Sequence, residues 1–532
     1  MRPLSLLAMA SLAVCSAFAQ APTNMPASAP SPVFAIKGFK ITGDNPLGDS
    51  DTSRVLAPFL RADATIDTLQ KATTALETAL RDKGFGLHRV ALPPQEVGDT
   101  VSLTIVKFTL NKITVEGLAR YDEVNIRRSL PELKEGATPN FKTLAVQSAI
   151  ANESQGKQTT VSLKESDEPD KIDANVQVKE NKPWNFAINW ANTGNASSGR
   201  DRLTFSGGHS NLFNRDQQFV GAYTTSVNRS NDVKQLGLSY RVPLYELGGV
   251  VGVSYTQSDV LGNFGAFTST GAGKTWGINY TAYLPPDGGY RGYFTVGFDD
   301  KLFNGAVISG VKTTLDTRTR PLSLGYNARK ESDGLFWGYN AELAFNLGGG
   351  NGNDLNSYTN GGTNLIYDTT SFKVLRGGAN YSTVFASNWL WSARGQAQYT
   401  PNTLIAGEAF GIGGSSSVRG TGERVIAADK GLFTSMEITS PEVAEGLRVL
   451  GFVDAGWLSN NNNLVAAANP GRPGSDRLAS VGLGLRYSNP NGLALSADYG
   501  RIVTGSVVPI TINSSAPQKG DAKLHLNLSV RF

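Results

Sequence analysis

The residues in this sequence with the clearest chemical potential are one arginine and one aspartate. Arg419 sits in "GGSSSVRG" (413–420), inside a long polar, glycine-punctuated stretch, 401–430. Gly413, Gly414 and Gly420 permit tight backbone paths on either side of Val418 and Arg419. Asp454 sits in "GFVDAGWL" (451–458), where Phe452, Val453, Ala455, Gly456 and Trp457 leave it as the sole charge of a strand-like segment. A carboxylate so placed needs a cationic partner or water. In one reading the 401–430 stretch folds back and Arg419 pairs with Asp454. In the other, Arg419 is solvated and Asp454 faces water. Spacing alone does not choose between them. The regimes differ in weight: an exposed pair contributes about 0–1 kcal/mol, while breaking a desolvated one costs about 3–5 kcal/mol.

Nothing else resembles a reaction centre. His88, His209 and His525 are scattered, and no H-E-x-x-H, G-x-S-x-G or metal-ligand spacing occurs. The glycine-rich stretch lacks the Gly-Lys-Ser/Thr ending of a phosphate loop. No catalytic residue, metal or cofactor is expected, and an enzyme is the weakest reading. Lys+Arg 49 against Asp+Glu 45 leaves no basic excess to attract nucleic acid.

The elements that must position Arg419 and Asp454 are strands. From residue 185 onward, helical spacing disappears and sixteen short alternating segments follow, rich in Tyr, Phe, Trp and Gly. Gaps after even-numbered segments are turn-like, such as "PPDGG" and "NPN"; gaps after odd-numbered ones are long and polar. Outer-membrane barrels have this asymmetry, with tight periplasmic turns and long outer loops. The last segment, "KLHLNLSVRF", places Leu524, Leu526, Leu528, Val530 and Phe532 on one face and polar residues on the other. An even strand count lets this strand pair with the first, close the cylinder, and turn its apolar edge to lipid. In "QLGLSYRV" the same alternation puts Arg241 toward a wet interior, because a charge facing lipid at mid-depth costs roughly 2–4 kcal/mol. A propeller would show a repeated blade, and none is visible.

Residues 1–19 have the form of an export signal: Arg2, an apolar run, then Ala17-Phe18-Ala19. Val14 before Cys15, the sole cysteine, argues against a lipoprotein signal. No later apolar run reaches the length of about 18 residues that a spanning helix needs. Residues 20–32 form a flexible leader. Two α+β units follow, 33–108 and 109–184, each in the order strand-helix-helix-strand-strand, ahead of a barrel over 185–532.

"GGSSSVRG", "DKG", "FVDAG" and a terminal aromatic strand, behind two front modules, resemble the two-partner secretion transporters, the hemolysin secretion/activation type. The resemblance covers essentially the whole mature chain. It implies two periplasmic POTRA domains and a sixteen-stranded outer-membrane β-barrel. It implies an inward-folded loop carrying Val418-Arg419-Gly420, and an inner-wall motif of Phe452, Asp454 and Gly456 that receives the arginine. The implied partner is a large secreted exoprotein with an N-terminal secretion domain, held unfolded by the POTRA domains and conducted outward, with hemolysin or adhesin activation as a further possibility. The other implied partners are outer-membrane lipid and the barrel assembly machinery, which would act on the C-terminal strand. A monomer is expected. The alternatives are a barrel assembly or insertion factor of the same superfamily, or a diffusion pore, which would have no use for front modules. The family's aromatic after Arg-Gly is Thr421 here, and 20–32 is too short and proline-rich for the family's plug helix. The long loop alone is therefore expected to gate the pore.

Overall fold

A computed structural model describes residues 32–532, apart from 97, 197, 261, 265, 270, 309–310, 362–364 and 462–470. The expected export signal and nearly all of the leader lie outside the described residues. One compact unit holds the described residues up to Leu80 together with Arg89–Val106. The other holds Arg81–His88 and Lys107–Phe532.

The first module runs β1 (Gly38–Gly43), α1 (Gly48–Leu56), α2 (Ile66–Asp82), β2 (His88–Ala91) and β3 (Thr100–Lys107). Its sheet has the order β1-β3-β2, with β1 and β3 parallel. Leu69, Ala72, Leu76 and Leu80 fall on one face of α2 and are all buried, the outcome that their helical spacing dictates. The first helix starts at Gly48, ahead of the candidate caps Asp51, Thr52 and Ser53, and takes Asp49 and Asp51 into its first turn.

The same order recurs in β4 (Thr109–Glu116), α3 (Glu123–Ser129), α4 (Phe141–Asn152), β5 (Lys157–Glu165) and β6 (Lys171–Glu180), with sheet order β4-β6-β5. Asp122 and Asn140 cap α3 and α4 by accepting from backbone N–H groups of the first turn. Leu110, Ile113, Ile126, Leu130, Leu144, Val176 and Val178 form the core, with Phe141 against it. Ile150 faces elsewhere. With Val146 it packs on Tyr245, Val250 and Tyr283 at the end of the barrel.

In the described residues sixteen strands close the barrel: β7 (Trp184–Ala191), β8 (Arg202–Leu212), β9 (Gln217–Thr225), β10 (Gln235–Leu244), β11 (Gly249–Ser258), β12 (Gly273–Tyr283), β13 (Tyr290–Phe303), β14 (Thr317–Thr319 continuing as Pro321–Ser332), β15 (Leu335–Asn346), β16 (Lys373–Phe385), β17 (Trp389–Tyr399), β18 (Lys430–Thr439), β19 (Leu447–Ser459), β20 (Ser475–Ser488), β21 (Leu493–Thr504) and β22 (Ala522–Arg531). Both pieces of β14 pair with β13, so its break at Arg320 interrupts one strand rather than adding another. Trp276, Ile278, Phe294, Val296, Leu324 and Leu483 stand exposed on the outer face. Arg241, Ser239, Ser254 and Thr256 line an inner cavity of about 570 Å³. Apolar outside and polar inside is the reverse of a soluble barrel and suits lipid.

The strand β22 shuts the cylinder on β7 over five registered pairs, from Asn527↔Ala191 to Arg531↔Ala187, whereas β19 and β20 share thirteen. Side chains supplement this short seam. Asn192 Nδ2 donates to the Leu524 carbonyl at 2.7 Å, Asn192 Oδ1 accepts from Leu526 N–H at 2.8 Å, and Asn189 Nδ2 donates to Asn527 Oδ1 at 2.9 Å. Leu524, Leu528 and Phe532 are exposed, Leu526 and Val530 half-buried, and the Phe532 N–H donates to the Phe186 carbonyl.

Candidate functional site

The loop between β17 and β18 reaches the barrel interior. Ile412 and Val418 are completely buried, packed with Phe433, Leu458, Leu478 and Ile502 of the wall. Phe410–Ile412 pairs antiparallel with Ile426–Ala428, giving the loop a two-stranded stem. Beyond it the tip is tied internally. Gly413 N–H donates to Ser417 Oγ, and Gly414 N–H donates to the Val418 carbonyl and to Thr421 Oγ1. Thr421 thus acts as a polar staple of the tip.

Arg419 is 1% exposed and meets Asp454, which is fully buried. Nε donates to Asp454 Oδ2 at 2.8 Å and Nη2 to Oδ1 at 2.8 Å, a fork-on-fork pair; the Arg419 backbone N–H adds 3.1 Å to Oδ2. Nη2 donates to Ser435 Oγ at 3.2 Å, and Nη1 lies 2.8 Å from Glu437 and 3.8 Å from Asp498. The guanidinium lies 3.4 Å from the centroid of the Phe452 ring. Of the two readings of Arg419, the folded-back, desolvated pair is the one found.

Alternation explains the spacing of the wall motif. Phe452, Asp454 and Gly456 are successive inward positions of β19. Phe452 gives a ring for the cation and Asp454 its counter-charge. Gly456 leaves room, because a Cβ there would lie 2.6 Å from Ile412 Cδ1.

Four participants escaped sequence reasoning. Glu437 and Asp498 are acids on the inner faces of β18 and β21, and the only available signal was a lone carboxylate on the polar side of an alternating strand. Asp498 is also held by Arg486 at 2.7 and 2.9 Å. His525, expected to be an ordinary strand residue, is 4% exposed and accepts the Gly420 N–H at Nε2, 3.0 Å away. The fourth, Gly500, allows the tip to lie against β21. A Cβ on it would stand 2.7 Å from the Arg419 carbonyl carbon and 2.7 Å from Gly420 N, while Gly420 holds φ +101 with its own Cβ position 2.8 Å from the Gly500 carbonyl oxygen. Backbone against backbone cannot yield as a side-chain end can. Gly500→Val should therefore leave a folded barrel with the tip pushed off the wall, giving larger and noisier single-channel currents in planar bilayers. Currents equal to those of the unaltered protein would refute this placement.

The family described as "Haemolysin secretion/activation protein ShlB/FhaC/HecB" matches residues 170–487, more than half of the chain. The chain belongs to this family. The ShlB-type POTRA domain matches residues 34–107. Among curated relatives, "Outer membrane transporter CdiB" of Dickeya dadantii is 22% identical over 459 residues, 83% of this chain and 79% of the relative. The Escherichia coli protein of the same name is 20% identical over 444 residues, 81% and 74% of the two chains. The solved structure "CdiB from Escherichia coli" superposes with TM-score 0.73 at 18% identity, covering 96% of this chain and 92% of the other. "CdiB from Acinetobacter baumannii" gives 0.68 at 17%, with 94% and 91% covered. The protein is an outer-membrane transporter of two-partner secretion, with its POTRA modules in the periplasm, and it acts with a secreted exoprotein. The short turns of the barrel, on the side where the second module packs, are accordingly periplasmic.

Proposed function

We propose that this transporter captures an unfolded exoprotein in the periplasm and passes it through the barrel, with the tip carrying Arg419 as the movable element of the path. One observation carries this reading: a loop arginine, fully desolvated on the inner wall, held by side chains that the wall presents and not by the wall's backbone ladder. Such a clamp can open without unzipping a strand. A passive pore needs no such device and no modules in front of it.

The two three-stranded sheets of the front modules each have edge strands with one side unpaired, and an extended segment can add to such an edge by main-chain hydrogen bonds. The exoprotein's N-terminal secretion domain is the natural occupant. The periplasm holds no ATP, so folding of the exported chain outside supplies the drive. The work is transport rather than catalysis, and activation of the cargo is a by-product of its folding on exit. The long loop is not alone in the lumen: Phe267, on the hairpin Gly262–Phe264/Phe267–Ser269, packs against Ala222 and Val220 of the inner wall, so resting closure is shared between two loops.

The deciding experiment needs a cargo, and a long, repeat-rich exported protein is to be sought among the genes that flank that of the transporter. Deleting the transporter should trap that protein in the periplasm and re-supply should return it to the medium. Its N-terminal segment should bind the full-length transporter in detergent. Unchanged export without the transporter, with loss of other barrels from the outer membrane instead, would favour the assembly-factor reading.

A further inference from the structure

Eleven residues before Arg419, a second buried charge joins the loop to a different part of the wall. Glu408 is 3% exposed. Its Oε1 accepts from Lys301 Nζ of β13 at 3.1 Å and from Thr319 Oγ1 of β14 at 2.9 Å, and its Oε2 accepts from Arg376 Nη2 of β16 at 2.7 Å. The Glu408 carbonyl is held as well, by Gln398 Nε2 of β17 at 3.0 Å; the Oε1 of the same glutamine accepts from Arg376 Nε. The carboxylate is thus desolvated and saturated, and the backbone is fixed with it.

The two clamps occupy separate arcs of the cylinder. Glu408 binds β13, β14 and β16, whereas Arg419 contacts β18, β19 and β21 and the adjoining Gly420 contacts β22. The stem formed by Phe410–Ile412 and Ile426–Ala428 begins just after Glu408 and leads away from it, its Ile412, Ile426 and Ala428 packing on Phe433, Leu458, Leu478 and Ile502 of β18–β21. At the far end of that stem come Gly413 at φ +109 and Gly414 at φ +101, conformations that glycine alone takes without strain. The order along the chain is anchor, rigid stem, glycine pair, arginine tip.

We propose that Glu408 is a positioning residue: a permanent anchor that keeps the base of the loop, where the stem begins, on the β13–β16 wall while Arg419 leaves and regains Asp454. The tip then swings about Gly413 and Gly414 over a short arc and never leaves the lumen. This rests on the reading of the arginine tip as the movable element, and gives that movement its fixed point.

The test needs no cargo. A reporter cysteine is placed at the base of the stem (Ala409→Cys) or on the half-buried part of the tip (Ser417→Cys). Folded protein in liposomes is then labelled with a membrane-impermeant maleimide. Arg419→Ala should speed labelling of the tip reporter and leave the stem reporter at its original rate. Glu408→Gln should speed the stem reporter by about ten-fold, the effect of making a local opening about 1.4 kcal/mol easier. Glu408→Asp, which keeps the charge, should restore much of the protection. If Glu408→Gln does not fold, as judged by heat-modifiable migration, Arg376→Gln breaks the same contact from the wall side. A stem reporter unmoved by these changes would overturn the proposal. So would an Arg419→Ala protein in which stem and tip are released together, because there would then be one anchor and not two. If instead Arg419→Ala exports cargo normally while the labelling pattern is as expected, the anchor stands and the transport role of the tip falls.

Discussion

Arg419→Ala is expected to give a barrel that folds and inserts but exports little or none of its exoprotein. The ladder survives because Arg419 belongs to no strand, and sixteen strand pairings close the wall without it. The loss at the loop is large. It removes the forked pair to Asp454, the contacts to Ser435 and Glu437, and the ring contact with Phe452. It also leaves the Asp454 carboxylate, among the described residues, with only the backbone N–H of residue 419 to bond. Removing one member of a desolvated pair costs about 3–5 kcal/mol, more than enough to reverse a docking equilibrium. Arg419→Lys should rescue poorly, because an ammonium cannot span both Asp454 oxygens and Glu437 together. Heat-modifiable migration reads the folding, and cargo in the culture supernatant reads the export. Full export by a folded Arg419→Ala protein would remove the tip from the mechanism.

The second large effect is expected at the joint between the second module and the barrel. Lys157, at the start of β5, has no exposed surface. Its Nζ lies 2.8 Å from Asp216 Oδ2 in the turn after β8, and 2.5 Å from Asn125 Oδ1. Burial pushes the Lys157 ammonium below the ordinary lysine range, and Asp216 draws it back. Asp216 is saturated in turn by Asn125 Nδ2 at 3.2 Å and Tyr245 Oη at 2.8 Å. Asp216→Ala leaves an ammonium in a dry site and should destabilise the joint by about 3–5 kcal/mol. The double variant Lys157→Met/Asp216→Ala should recover most of that, because no uncompensated charge remains. Urea unfolding of the detergent-folded protein, followed by proteolysis of the second module, measures both. An unchanged midpoint for Asp216→Ala would show that the pair is not what holds the module.

Some of this was legible in the sequence, for physical reasons. A strand in lipid must show alternation because one side meets hydrocarbon and the other water, so the period of two survived in all sixteen segments. Arg419 and Asp454 stood out because each was a charge in a setting that gave it no local partner. Glu408 did not stand out, since a glutamate in a polar loop is unremarkable until Lys301, 107 positions earlier, arrives beside it. His525 was hidden by the regularity of its strand, where it occupies an ordinary inward position. The repeated module order suggested two similar beads ahead of the barrel. What the repeat could not reveal is that the second shares a buried ion pair and an apolar contact with the barrel, because Lys157 and Val146 match the needs of residues far along the chain.

The short seam between β7 and β22 has a consequence for how the molecule is made. It joins Asn189 to Asn527, 338 positions apart. Every hairpin of the wall can zip as soon as its own two strands are present, but the ring can be completed only when the final ten residues have been delivered. Until then the nascent sheet carries two raw edges, an invitation to pair with the wrong chain. Truncation by even a few C-terminal residues therefore removes the clasp of the whole ring.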